Sequence, residues 1–370
     1  MLRASLLFAL LIGCAPKGSP DVELTPSYSV VAAMMRTCVA DELGVVSCAG
    51  ANDKGELGDG TTNDAAQLVP IGGLGPVAQL AGEDPLCALT TKGEVYCWGD
   101  PSWGAIGDGT NQRRDRPTKV LMLPPAIAIA GSGTRNCALA SDGALFCWGL
   151  DPELDGIRDE RSVTLPEHVD APRLAEIGVG YSHGCGRTPA GKVLCWGHNN
   201  WGQLGDGTRN DRAEAVEVGD VAGARQIAVG SFHACALLED ATVKCWGRDM
   251  HPRCERMNEA DEHLVCPHAQ AMMGVGDVVQ IASGSDHACA RTSAGEVLCW
   301  GANTDGQLDG EPTNWPRLFP HALPLLANAT FIAAGPWRTC GRLPEGDLRC
   351  LGRSFTGREA GRPKTTIATQ

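Results

Sequence analysis

The sequence predicts an all-β fold: a seven-bladed β-propeller of four-stranded antiparallel blades. Three observations predict it. A unit of cysteine, nine residues and cysteine occurs seven times: Cys38–Cys48, Cys87–Cys97, Cys137–Cys147, Cys185–Cys195, Cys235–Cys245, Cys289–Cys299 and Cys340–Cys350. The first cysteines follow one another at 49, 50, 48, 50, 54 and 51 residues. A period near 50 with strand-like content marks a propeller or a solenoid. The fullest repeat holds four short apolar runs, at 216–218, 226–230, 233–237 and 243–247, the number of strands in a propeller blade.

Each cysteine unit reads as a β-hairpin around a Gly-containing turn, as in Cys185 to Gly197, C-G-R-T-P-A-G-K-V-L-C-W-G. A separation of ten is even. The two cysteines can therefore lie opposite each other on antiparallel strands and face the same side, within disulfide reach. Connectivity is not fixed by sequence alone. Sevenfold repetition makes pairing within each hairpin the simplest solution. The alternative is seven pairs of free thiols in a reducing compartment, where such a pattern is rarely kept. Five of the nine tryptophans follow a second cysteine directly, so they point to the other sheet face and are expected to pack between blades. Two residues before the first cysteine stands His183, His233 or His287, or Arg36, Arg135 or Arg338. Nothing pairs these with a nucleophile in every blade, so a structural hydrogen-bonding role is expected.

From the N-terminus, residues 1–13 read as a signal peptide: Arg3, an apolar run from Ala4 to Ile12, then Gly13. Leu11-Ile12-Gly13-Cys14 resembles the bacterial lipobox, which implies acylation at Cys14. An ordinary secretory peptide is the alternative. Residues 14–28, with Pro, Ser and Lys and no periodicity, read as a lipidated tether, and residues 29–370 as the propeller. The expected location is the cell envelope, lipid-anchored to the outer membrane or cell surface. The formal charge of −13 and the lack of a basic run argue against nucleic acid, and membrane contact is expected through the lipid alone.

I-A-x-G-x-x-H-x-C-A-L, then G-x-V-x-C-W-G, then N-x-x-G-Q-L-G-D-G-T resembles the repeat of the regulator of chromosome condensation family. The resemblance runs from about Ser29 to the C-terminus and implies a seven-bladed propeller that works by protein contacts. It is degraded in blades three, five and seven. The paired cysteines depart from the cytosolic and nuclear members and look like exported bacterial relatives. The first repeat starts at Val30 with no strand before it, and the last runs on to Ile367. The C-terminal strand is thus expected to complete the blade of the N-terminal hairpin and so close the ring.

After Trp246 the G-Q-L-G-D-G loop is replaced by His251, Cys254, His263, Cys266 and His268. A zinc site and an eighth disulfide, Cys254–Cys266, are both compatible with these residues, and the oxidising compartment favours the disulfide. The G-x-x-G-D-G loops lack the residues of a phosphate cradle or a calcium loop. No catalytic constellation can be placed in one pocket, and no cofactor is expected.

The leading function is therefore a monomeric binding scaffold for a protein or other macromolecule. An envelope hydrolase or lyase at the ring centre is the alternative. Nucleotide exchange on a small GTPase, the founding nuclear activity, fits poorly with the lipobox and the acidic charge. Successive connections alternate between the two ends of a blade. The turn before each hairpin and the long loop after it should share one face, and this face carries Met35, Trp103, Tyr181, Trp201, Phe232, Asp286 and Trp337 as expected partner-binding residues.

Overall fold

The structure, a computed structural model, describes residues 23–133, 135–151, 161–256, 263–353 and 365–367. The signal segment, Cys14 and the start of the tether lie outside them. Seven antiparallel sheets follow one another along the chain. Blade one holds Ser29–Ala32, Arg36–Ala40, Val46–Gly50 and Ala65–Pro70, from the inner to the outer strand. Blade five holds Ala224–Val229, His233–Leu238, Val243–Arg248 and Leu264–Ala271, with a fifth edge strand, Glu255–Arg256. Blade seven holds Phe331–Gly335, Arg338–Arg342, Leu348–Gly352 and Thr365–Ile367.

The cysteine register is the expected one. In all seven hairpins the two cysteines face each other, as Cys185↔Cys195 and Cys235↔Cys245 do. Their Cα atoms are 4.0–4.1 Å apart, the close approach of a non-hydrogen-bonded pair. All seven are bonded. After each tryptophan comes a glycine such as Gly247, at φ 98°, where the register to the outer strand shifts. A side chain there would be strained and would run into the backbone of Phe232 and His233.

Tryptophan binds blade to blade. Trp246 lies in one cluster with Cys185 and Cys195 of the blade before it, and Trp98 with Cys38 and Cys48. Trp300 packs in the same way on Cys235 and Cys245, and Leu351 replaces tryptophan against Cys289 and Cys299. Each tryptophan thus covers the preceding disulfide. The indole N–H also donates to a loop carbonyl of that preceding blade: Trp98 to Glu56 O at 3.0 Å, Trp148 to Ala105 O at 2.9 Å and Trp246 to Gln203 O at 2.9 Å. Trp300 Nε1 is buried without such a partner, because blade five lacks the loop that would offer the carbonyl.

Neighbouring inner strands do not pair in a propeller, and glutamine bridges some of them. Gln226 Nε2 donates to Ile281 O at 3.0 Å, and Ile281 N donates back to Gln226 Oε1 at 2.9 Å. Gln79 with Ile129 and Gln280 with Ile332 repeat the device. One side-chain amide thus satisfies a backbone donor and acceptor at once.

Two expectations are corrected. The run at 216–218 does not open the blade of Cys235. It ends the outer strand of the preceding blade, with Cys195 opposite Val216. Blade one therefore needs nothing from the C-terminus, since Ser29–Ala32 is its inner strand and Ala65–Pro70 its outer one. Thr365–Ile367 pairs instead with the third strand of its own blade, Leu348 opposite Ile367. The ring closes by side-on packing of blade seven against blade one. Arg338 Nη1 donates to Thr37 Oγ1 at 3.0 Å, and Tyr28 meets Phe331 edge-on at 5.5 Å. Arg342 lies over the Tyr28 ring at 4.3 Å and pairs with Glu42.

Candidate functional site: the loop face

Backbone hydrogen bonds establish which connections share a face. The start of each long loop donates to the inner turn of its own blade: Ala51 N to Met35 O, His198 N to Ser182 O, Arg248 N to Phe232 O and Ala302 N to Asp286 O, at 2.7–3.0 Å. The hairpin turns meet the entry of the next blade at the other end, as Ala126 N to Gly93 O and Ala224 N to Gly191 O show, at 2.8 and 2.9 Å.

On the loop face Arg248 gathers side chains from three blades. Its guanidinium lies 4.3 Å from the Phe232 ring centroid and 5.3 Å from that of Trp201, and it pairs with Asp286. Tyr181 tilts against Phe232 at 5.9 Å, and Trp201 meets His263 edge-on at 5.5 Å. His263 Nδ1 in turn faces Asp249. Phe232 and Trp201 are half-buried by this local packing, while Tyr181 stays 62 % exposed. Cation–π contact of this kind contributes roughly 0.5–1 kcal/mol at exposed sites, so the cluster is ordered yet open to a partner.

The long loop that presents Trp201 is tied to itself by a buried asparagine. Asn199 Oδ1 accepts from Leu204 N at 3.0 Å, and its Nδ2 donates to Asp206 Oδ1 and Thr208 O, both at 3.1 Å. Asn52 and Asn303 do the same in their blades. The N-x-x-G-Q-L-G-D-G-T motif is thus a self-bonded loop, in keeping with a turn role.

Four of the seven expected partner-binding residues come together: Tyr181, Trp201, Phe232 and Asp286. The other three share the face in other blades. Met35 is half-buried in the inner turn of blade one. Trp103 sits in a short 3-10 turn at φ 62° against the outer strand of blade three. Trp337 stacks under Arg353 at 4.5 Å. Arg248 itself was not among the expected residues. Its signal is a second-order repeat: Phe232 with Arg248 and Trp337 with Arg353 are aromatic–arginine pairs 16 residues apart, at equivalent places in two blades. Trp315 and Phe319, 64 % and 60 % exposed on the outer strand of blade six, were also missed. In blade five the residue at the register position of Phe319 is His268, which lies close against Gly207 of the preceding loop. Blade five has no such G-D-G turn to cover Phe319.

The segment after Trp246 separates its five candidate ligands. Cys254 and Cys266 are bonded to each other, His263 faces Asp249, His251 Nδ1 accepts from Arg253 N at 3.1 Å, and His268 packs on Gly207. Among the described residues no group of three or more such side chains is placed to hold a metal ion. The repeated basic position is structural. His287 Nε2 and Thr339 Oγ1 of the next blade are 2.8 Å apart, just as Arg338 reaches Thr37. Burial pushes His183 and His287 down to about 4 and His233 to about 3, so all three are neutral at physiological pH.

The comparisons agree with this geometry. The chain is 28% identical over 276 residues to the ultraviolet-B receptor UVR8 of Arabidopsis thaliana, covering 71% of this chain and 62% of that protein. It is 27% identical over 251 residues to the human E3 ubiquitin-protein ligase HERC2, covering 64% of this chain and 5% of that protein. The chain thus spans less than two thirds of the length of these curated relatives. The structure of Prp20p from Saccharomyces cerevisiae superposes with a TM-score of 0.75 at 19% identity, covering 89% of this chain and 87% of that one. Human WBSCR16 gives 0.73 at 17% identity over 88% and 93%. The RCC1-like domain family model matches residues 13–341, nearly the whole ring of I-A-x-G strands and C-W-G hairpins, and the chain belongs to that family.

Proposed function

We propose that the chain is a binding module that recognises a protein through its loop face, with the Tyr181–Trp201–Phe232–Arg248 cluster at the centre of the contact. The single observation that carries this reading is the convergence of three blades on Arg248 beside a bare tyrosine. Large aromatics and arginine are the side chains that anchor interfaces. The chain carries a formal charge of −13, which suits a partner with basic groups. Prp20p is described with binding properties to Gsp1p and histones, and a protein partner here is in keeping with that. The reading is one of binding, not catalysis.

Alanine at Trp201, Phe232 or Trp337 is expected to weaken retention of the captured partner by roughly tenfold or more, the size of an interface anchor, while the ring still melts cooperatively. Changes at Lys92, Asp142 and Lys192, on the hairpin-turn face, should leave retention unchanged. The opposite ranking would move the contact to that face.

The module is further proposed to act at the cell envelope, held to the outer membrane or cell surface by a lipid on Cys14. Cys14→Ser should move the protein from membranes into the soluble fraction, since the two or three acyl chains of a lipobox cysteine supply the whole attachment. Continued membrane partition in detergent-free extracts would sink the lipid anchor.

A further inference from the structure

Each blade's inner strand ends at the ring axis in small residues. Gly180, Gly230, Gly284 and Gly335 each lie against a backbone carbonyl of the next blade, so that any Cβ would collide with it. This close approach leaves an axial cavity of about 140 Å³, lined by residues from all seven blades, among them Ser132, Ser231, Ser283 and Ser285. That is room for several waters or one side chain. Ser231 and Ser285 belong to the inner turns, so the cavity lies at the loop-face end of the ring.

Glu83 is the one ionisable residue among the described residues that line it. Its nearest cation is committed elsewhere. Arg36 pairs with Glu56 and Asp84 and donates to the backbone carbonyl of Glu83, with no ion pair to the Glu83 carboxylate. Burial pushes the Glu83 carboxyl up to about 7, with Arg36 pulling it down and Asp84 pushing it up again. An acid held this way lowers stability once ionised, a cost tolerated where a ligand repays it.

We propose that the axial cavity is a docking site for an ammonium group, the lysine tip of a partner protein, with Glu83 as counter-ion and the turn serines as hydrogen-bond acceptors. Three N–H donors match a carboxylate and a ring of hydroxyl oxygens, and the narrow small-residue walls fit an unbranched stem. The source of the lysine rests on the loop-face reading; the chemistry of the cavity does not.

The test uses the whole protein at about pH 8.5, where the carboxylate is ionised. n-Butylammonium is the probe, and tetramethylammonium, which has no N–H donor, is the ionic-strength control. A saturable rise in melting temperature with n-butylammonium alone is expected, weakened at least about tenfold in Glu83→Gln, the size of a lost charge-assisted bond. Equal effects in the two proteins, or no effect in either, overturn the site. A response to calcium chloride instead of n-butylammonium overturns the ammonium assignment. Partner capture is the second arm, with loss expected for Glu83→Gln. Unchanged capture with intact probe binding overturns the lysine docking and assigns the cavity to a free amine. It leaves the loop-face reading to its own alanine variants.

Discussion

Complete reduction of the hairpin disulfides is expected to unfold the ring under conditions where the oxidised protein is stable. Each bridge spans 10 residues and joins the second and third strands of one blade. By the chain-entropy argument each contributes roughly 2–3 kcal/mol. Seven such terms are as large as the whole net stability of about 5–15 kcal/mol typical of a folded domain. The sulfurs are buried under the next blade's tryptophan, so reduction should be slow until denaturant opens the ring. Urea melts of oxidised protein and of protein reduced under denaturant and then refolded measure the difference. Removing Cys235 and Cys245 together should cost about 2–3 kcal/mol by the same argument. Removing Cys254 and Cys266 should cost less, because that bridge ties an edge segment of blade five outside the regular four strands. Reduced protein that refolds with an unchanged midpoint contradicts the account.

The second large effect lies at the tryptophans. Trp246→Ala should cost about 3–5 kcal/mol, because a fully buried wedge between two blades leaves a cavity that the sheets cannot close. Phenylalanine separates packing from hydrogen bonding. Trp246→Phe leaves the Gln203 carbonyl without its donor, whereas Trp300→Phe removes an N–H that has no partner. An unsatisfied buried group costs about 1–3 kcal/mol, so Trp246→Phe should be the more destabilised of the pair by about that amount. Equal losses in thermal melts would mean that Trp300 Nε1 is in fact satisfied.

The hairpins were legible because two constraints coincide there. Cysteine must face cysteine, and an even spacing in a tight hairpin permits this at one register. The tryptophan face followed from the same alternation. Ring closure was not legible. A three-residue strand such as Thr365–Ile367 has no pattern that selects one sheet edge over another, and what excluded blade one was its own strand Ala65–Pro70. The face that carries Tyr181, Phe232 and Asp286 was legible from strand alternation. Arg248 was not, because its contacts depend on a third strand ending beside the turn that opens the second. The glutamine bridges at Gln79, Gln226 and Gln280 appear in sequence as Q-L-A or Q-I-A. They acquire meaning only once the inner strands lie side by side.

The claim that the loop face is the recognition surface is tested most directly by site-specific photo-crosslinking in intact cells that make the protein. A photoreactive residue replaces Tyr181, the exposed member of the cluster, in one protein and Lys192, in a hairpin turn of the same blade, in another. The account predicts a discrete adduct of defined mass from position 181 and none from position 192. An adduct from position 192 alone contradicts it.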